Sequence, residues 1–304
     1  MQRRKFVIWL VTGSFLLACR QEVTPTPISG SAPTPTSEPT VVPTPTREPT
    51  LLLTPARTPE ATATPGRATL VALYFLRGEK LAVVRRPIPE TPRVGTAALQ
   101  ELLAGPTPRE ADWGFTTEIP AGTELRELTI ADGVATVDLS SDFASGGGSF
   151  SMRARVAQVV FTLTQFPTVQ AVRFRLDGQP VTAIGSEGVI VEPPPGRGEF
   201  EDLLPLIFLE APGPGETVRS PLRVTGTANT FEAMFMVRLS TADGSVLYEQ
   251  PAMATSGSGT RGSFDVTIDF SVPQPTDGVL RLWEYSAKDG SEINIVEIPL
   301  RLEQ

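Results

Sequence analysis

From residue 20 to residue 68 the chain is dominated by alternating threonine and proline: Thr24-Pro25-Thr26-Pro27, Pro33-Thr34-Pro35-Thr36, Pro43-Thr44-Pro45-Thr46. No other feature restricts the fold as much. A segment without apolar periodicity cannot offset the entropy of ordering it, so it is excluded from any packed core. Its prolines favour extended polyproline II at about 3.1 Å per residue. That predicts a disordered, semi-rigid linker reaching roughly 150 Å when fully drawn out. Leu51-Leu52-Leu53 is a brief apolar interruption and a candidate docking point, and the threonines are candidate O-glycan acceptors. Folded structure must lie beyond the linker, in about 235 residues, enough for two domains of ordinary size.

Cys19 is the only cysteine among 304 residues, and the chain has no histidine. No internal disulfide can form, so each domain must be held by its own core. The missing imidazole removes the usual general base, the usual partner of a nucleophilic Ser or Cys, and the commonest zinc ligand. Ahead of Cys19 lie Arg3, Arg4 and Lys5, then an apolar run over 6–18 that is too short to span about 30 Å of hydrocarbon. Leu16-Leu17-Ala18-Cys19 resembles the lipobox of bacterial lipoproteins. The resemblance implies a signal peptide over 1–18, cleavage before Cys19, and lipid on Cys19. It places the protein in the cell envelope, outside the cytoplasm and anchored to membrane. Of the 26 basic residues three leave with that leader, while all 34 acidic ones stay, a balance of −11. So acidic a chain is a poor partner for nucleic acid or anionic lipid.

Residues 69–190 read as one α+β domain of order β-β-α-β-β-α-β, its helices packed on a small sheet. The run 70–76 turns at Gly78-Glu79 into a second strand over 81–86. Ala98, Leu99, Leu102 and Leu103 give the first helix, which Gly105-Pro106 stops. Asp132-Gly133 is a strong hairpin turn and sets a register of Ile130 with Ala135, Leu128 with Val137, and Thr129 with Thr136. After Gly146-Gly147-Gly148-Ser149, a helical period places Met152, Val156, Val159, Val160, Leu163 and Phe166 inside. The same period leaves Arg153, Arg155, Gln158 and Thr162 on the opposite, solvated side. Val172, Phe174 and Leu176 alternate with Arg173 and Arg175 in a strand that ends at Asp177-Gly178.

Residues 191–205 form a Pro/Gly linker, and 206–304 read as all-β. Phe264, Val266, Ile268 and Phe270 alternate with polar residues, and about seven short strands in this length indicate an immunoglobulin-like sandwich. The inward parity shifts between Ile293-Ile295 and Val296-Ile298-Leu300, which predicts a bulge.

Several strings carry a family resemblance. Residues 98–107 (ALQELLAGPT), 119–123 (IPAGT), 133–143 (GVATVDLSSDF) and 158–167 (QVVFTLTQFP) resemble the GerMN domain, named for spore germination and sporulation. Residues 212–218 (PGPGETV), 220–228 (SPLRVTGTA), 231–233 (FEA) and 285–290 (YSAKDG) resemble the immunoglobulin-like domain of bacterial spore-germination proteins. The resemblance implies non-catalytic assembly and binding modules, with an envelope protein or peptidoglycan as partner. It supplies no catalytic residue and no cofactor.

Candidate sites follow from residue type. Gly146, Gly147, Gly148 and Ser149 before a helix could offer backbone N–H groups to an anion; the plainer alternative is an entry loop with Ser149 or Ser151 as cap. Arg153, Arg155, Arg173 and Arg175 could form a basic patch for an acidic partner, or be separate solvated side chains. Asp138 and Asp142 could act on a glycan as a carboxylate pair, which makes a cell-wall glycan hydrolase one alternative function. An accessory subunit of an envelope sensor kinase is another. Lys80 and Lys288 are the only mature lysines available for a Ser–Lys pair. Asp265 and Asp269 could hold calcium or simply face solvent. Trp283 and Tyr285 share a strand side suited to the sandwich core or to a binding face. No metal site is expected.

Overall fold

The computed structural model describes residues 67–185 and 188–304. The expected leader, Cys19 and the Thr/Pro linker lie outside the described residues, which all fall within one compact unit, Ala61–Gln304. Among the described residues no helix is long and apolar enough to cross a membrane.

Strands β1 (Ala68–Arg77) and β2 (Lys80–Pro89) form a hairpin turned by Gly78 at φ 63°. Helix α1 (Val94–Leu103) buries Ala98, Leu99 and Leu102, as its period requires, and ends before Gly105. A short helix that the sequence reading missed, α2 (Pro108–Asp112), follows. Thr107 caps it, and Glu110 accepts the Thr107 N–H at 2.7 Å, a capping box with proline at the first position. After β3 (Phe115–Thr116) come β4 (Leu125–Ala131) and β5 (Val134–Leu139). They pair in the expected register, with Asp132 and Gly133 both at positive φ, as a type I′ turn needs. Ala135 and Val137 are buried, yet Ile130 is 43% exposed. β4 is an edge strand, and Gly95 of α1 packs beside Leu128. Helix α3 (Ser149–Leu163) crosses to β6 (Ala171–Leu176), which runs parallel to β5. Three two-residue strands follow: β7 (Gln179–Pro180), β8 (Ala183–Ile184) and β9 (Val189–Ile190). The fold is α+β as expected, but its strands divide into a β2-β1-β3 sheet, a β4-β5-β6-β7 sheet and a β8-β9 ribbon rather than one small sheet.

Helix α3 corrects one expectation directly. Arg155, Gln158 and Thr162, read as its solvated side, are buried. For Gln158 and Thr162 the reason is the stretch of β1 ahead of its pairing with β3, whose alternate residues turn their peptide groups away from β2. Gln165 accepts the Ala72 N–H at 2.8 Å and donates to the Ala72 carbonyl at 2.7 Å. Thr162 accepts the Tyr74 N–H, and Gln158 donates to the Tyr74 carbonyl at 3.1 Å. A polar stripe with helical spacing thus acts as the missing strand partner. This satisfies backbone groups that would otherwise be buried unpaired.

The segment expected as a linker over 191–205 is also packed. Arg197–Leu203 forms a 3-10 turn that buries Phe200 and Leu203 in the first domain's core. Strand β10 (Ile207–Ala211) then serves both cores. Ile207 and Leu209 belong to the sandwich core, while Phe208, pointing the other way, belongs to the core of the first domain.

The sandwich adds β11 (Thr217–Arg219), β12 (Leu222–Ala228), β13 (Met234–Thr241), β14 (Val246–Met253), β15 (Gly262–Ile268), β16 (Thr276–Tyr285) and β17 (Glu292–Glu303). One sheet runs β10-β12-β15 and the other β11-β17-β16-β13-β14. Val224, Phe235, Val237, Leu280 and Leu282 fill the space between them. The expected bulge is present. The β16–β17 register shifts between Leu282 and Glu284, and Asn294 takes φ 52°.

Candidate functional site

The Gly146–Ser149 loop leads into α3 with Gly148 at the cap position and no side-chain cap bond. What fixes the loop is Arg155, 3% exposed. Its guanidinium donates to the carbonyls of Phe143 (2.9 Å), Ser145 (2.7 Å) and Gly146 (2.9 Å), and to Ser151 Oγ (2.9 Å). Burial draws its proton affinity below the usual arginine range. Gly147, at φ 83°, leaves room for this clamp, because a Cβ there would overlap Ser151 Oγ and Arg155. The clamp holds the loop from inside, and Arg155 is withdrawn from any surface partner.

The four arginines do not form one patch. Arg153 bonds Asp202 (2.6 Å) and the Glu199 carbonyl, with its guanidinium over the Phe200 ring. Arg173 and Arg175 lie on the face of β6 opposite buried Val172 and Phe174, as their alternation predicts. The carboxylate pair serves loops: Asp138 accepts the Gly178 N–H at 2.9 Å, and Asp142 accepts from Ser140 Oγ at 3.2 Å. Asp265 is held by both arms of Arg223 (2.8 and 2.6 Å). Lys80 donates to the Asp202 carbonyl. Among the described residues no three acidic or sulfur ligands converge on a metal position.

A polar cluster that joins the two domains went unnoticed in the sequence. Arg197, from the expected linker, donates to Glu210 (2.7 Å), Tyr74 Oη (2.9 Å) and Thr164 Oγ1 (2.8 Å), and Tyr74 donates to Glu210 (3.0 Å). Its guanidinium lies over the Tyr74 and Phe161 rings, and Phe208 meets both rings at about 6 Å. Burial pushes the Tyr74 hydroxyl well above the usual tyrosine range. Burial also works against the Arg197 charge, but Tyr74 and Glu210 beside it outweigh burial and hold it firmly protonated. Arg77 to the Glu297 carbonyl (2.9 Å), Arg85 to Glu216 (3.4 Å), and Trp113 against Gly215 extend this junction between the domains.

Trp283 and Tyr285 lie on the outer face of the five-stranded sheet, not in the sandwich core. Trp283 is covered by Arg238 and Arg281, at 5.0 and 5.3 Å from its ring, and Tyr285 stands edge-on to it, half exposed.

The fold defines a two-domain class, an α+β domain followed by an immunoglobulin-like sandwich. Residues 72–182 match the family model Germane, described as sporulation and spore germination. Residues 206–291 match Gmad2, the immunoglobulin-like domain of bacterial spore germination. The chain carries both domains in that order. Among solved structures it is similar to the first GerMN domain of the sporulation protein GerM from Bacillus subtilis, at 24% identity and TM-score 0.38, covering 43% of this chain and 98% of that one. The tandem GerMN domains of the same protein align at 17% identity and TM-score 0.38, over 68% of this chain and 64% of that chain. A Clostridium perfringens crystal structure named as a candidate lipoprotein aligns at 22% identity and TM-score 0.33, over 45% of this chain and 93% of that one. No curated protein matched.

Proposed function

We propose that this chain is a non-catalytic binding module of the bacterial cell envelope, lipid-anchored through Cys19 and acting in a sporulation- or germination-type process. The family descriptions of both domains point to that process. One observation supports the binding role above the others: at the candidate sites, charged side chains are taken up in holding the fold. Arg155 bonds three carbonyls, Asp138 a turn amide and Asp265 an arginine. Reaction centres instead leave such groups facing a cleft. A single acyl chain anchors only marginally, so the reading includes the multiple acylation typical of lipoproteins.

Incubating the full-length protein with peptidoglycan tests the reading. Retention on the polymer or on an envelope protein, with no soluble fragments, is the expected result. Fragments that disappear in Asp138→Asn would establish the hydrolase instead. Lipid labelling lost in Cys19→Ser checks the anchor.

A further inference from the structure

The outer face of the five-stranded sheet in the Gmad2 domain has an unusual composition. The chain has five methionines. Met1 lies outside the described residues and Met152 is buried in α3. The other three, Met234, Met236 and Met253, stand together on this face. Met234 is paired with Met253, and Met236 lies between Pro251 and Trp283. Met253 is 64% exposed, Phe231 60% and Tyr285 50%. Scattered exposed apolar residues need no explanation, but a contiguous group of large ones marks an interaction surface. Methionine is the side chain best able to adapt to a partner.

The loop presenting Phe231 is strained and braced. Glu232 and Ala233, both non-glycine, take φ 52° and 61°. Such conformations persist only where the surroundings enforce them. Here Glu284 accepts the Phe231 N–H (3.1 Å), Ser258 Oγ the Glu232 N–H (2.9 Å), and the Thr230 carbonyl the Ser258 N–H (2.9 Å). The bracing holds an aromatic ring in solvent beside a cleft of about 190 Å³ that Phe231, Met234, Met236, Glu284 and Tyr285 help to line. That volume admits one large apolar side chain.

Charge selects the occupant. Four glutamates (Glu232, Glu249, Glu284, Glu292) border or line this surface against two arginines, a local balance of −2. Both arginines are already paired, Arg238 with Glu249 at 2.6 Å and Arg281 with Glu292 at 2.7 Å. A second copy of this acidic chain would oppose one acidic rim to another, and an anionic membrane would be repelled. We infer that this face binds an apolar polypeptide segment flanked by lysine or arginine, a large side chain of which enters the Phe231–Tyr285 cleft. The inference rests on the binding-module reading and names its surface.

The test uses full-length protein in detergent with its methionine methyls labelled for NMR. The probes are a synthetic peptide with a Leu/Phe core and Lys flanks, the same core with Glu flanks, and vesicles of zwitterionic or anionic lipid. The Lys-flanked peptide should shift the methyls of Met234, Met236 and Met253 and leave that of Met152 unmoved. Phe231→Glu and Met253→Glu should each weaken binding about 10-fold or more, with an unchanged unfolding midpoint. Equal binding of the Glu-flanked peptide, a response to vesicles alone, or shifts confined to other residues would overturn the assignment of this face. If peptidoglycan fragments are released in the earlier assay, the broader reading falls. If they are not and the methyls stay still, only the assignment of this face falls.

Discussion

Two groups of aromatic rings in this molecule each carry an arginine, and they differ in what lies above them. At the junction, Tyr74, Phe161 and Phe208 are buried and Arg197 is shared with Glu210 and Thr164. On the Gmad2 face, Trp283 is covered by Arg238 and Arg281, but Tyr285, Phe231 and Met253 stay in solvent. The same pairing of cation and ring therefore closes a core in one place and supports an open surface in the other. The difference lies in β10: its alternate residues feed two cores, so that no face of it remains free. Among the described residues no helix or strand covers the outer face of β13 and β16.

The largest effect should come from Phe208→Ala, which empties a ring-sized space in the first domain's core, where β10 of the sandwich docks. A loss of about 3–5 kcal/mol is expected in denaturant unfolding. Arg197→Met should follow at about 1–3 kcal/mol, since it leaves the buried Tyr74 hydroxyl and the half-buried Glu210 without their shared cation. The same change at Arg238 on the open face should cost less than about 1 kcal/mol. If the two arginine variants cost the same, the contrast between closed and open clusters is lost. Gln158→Leu leaves the Tyr74 carbonyl unpaired and should cost about 2 kcal/mol, with faster amide exchange along β1.

A smaller effect concerns Glu110. Burial works against its charge, but bonds from Arg86 and Thr107 outweigh burial and hold the carboxyl below the ordinary range. Its folded proton affinity is depressed, so its contribution is full above the ordinary glutamate value of about 4.3. That contribution fades as pH falls through the lower folded value. Glu110→Gln should therefore narrow the stability difference between neutral and acidic pH. Phe231→Ser, on the open face, should change stability by no more than about 0.5 kcal/mol.

The domain classes were legible because they rest on period and turn chemistry. Asp132-Gly133 set a register that the strands adopt from Ala131–Val134 out to Glu127–Asp138. The parity shift after Ile295 located the bulge in the last hairpin. Short-range signals failed where a polar residue serves a distant partner. Gln158, Thr162 and Gln165 have the spacing of a solvent stripe, and only the stretch of β1 that β3 leaves unpaired, more than 80 residues away, explains why they turn inward. Arg197 sat in a Pro/Gly run that reads as a linker, and its partners Tyr74 and Glu210 lie on either side in sequence. Residues 231–236 did contain a signal: Met234 and Met236 alternate with core Phe235 and Val237, which placed them outward.

Trp113 lies in the first domain, against Gly215 at the junction, and Trp283 lies on the sandwich, while Trp9 falls within the expected leader. Denaturant unfolding followed by fluorescence in Trp113→Phe therefore reads the sandwich, and in Trp283→Phe the first domain together with its junction. If β10 and Arg197 join them into one body, the two curves share a midpoint and slope, and both move together in Phe208→Ala. Two separated transitions, or a Phe208→Ala shift seen by only one tryptophan, would contradict that claim.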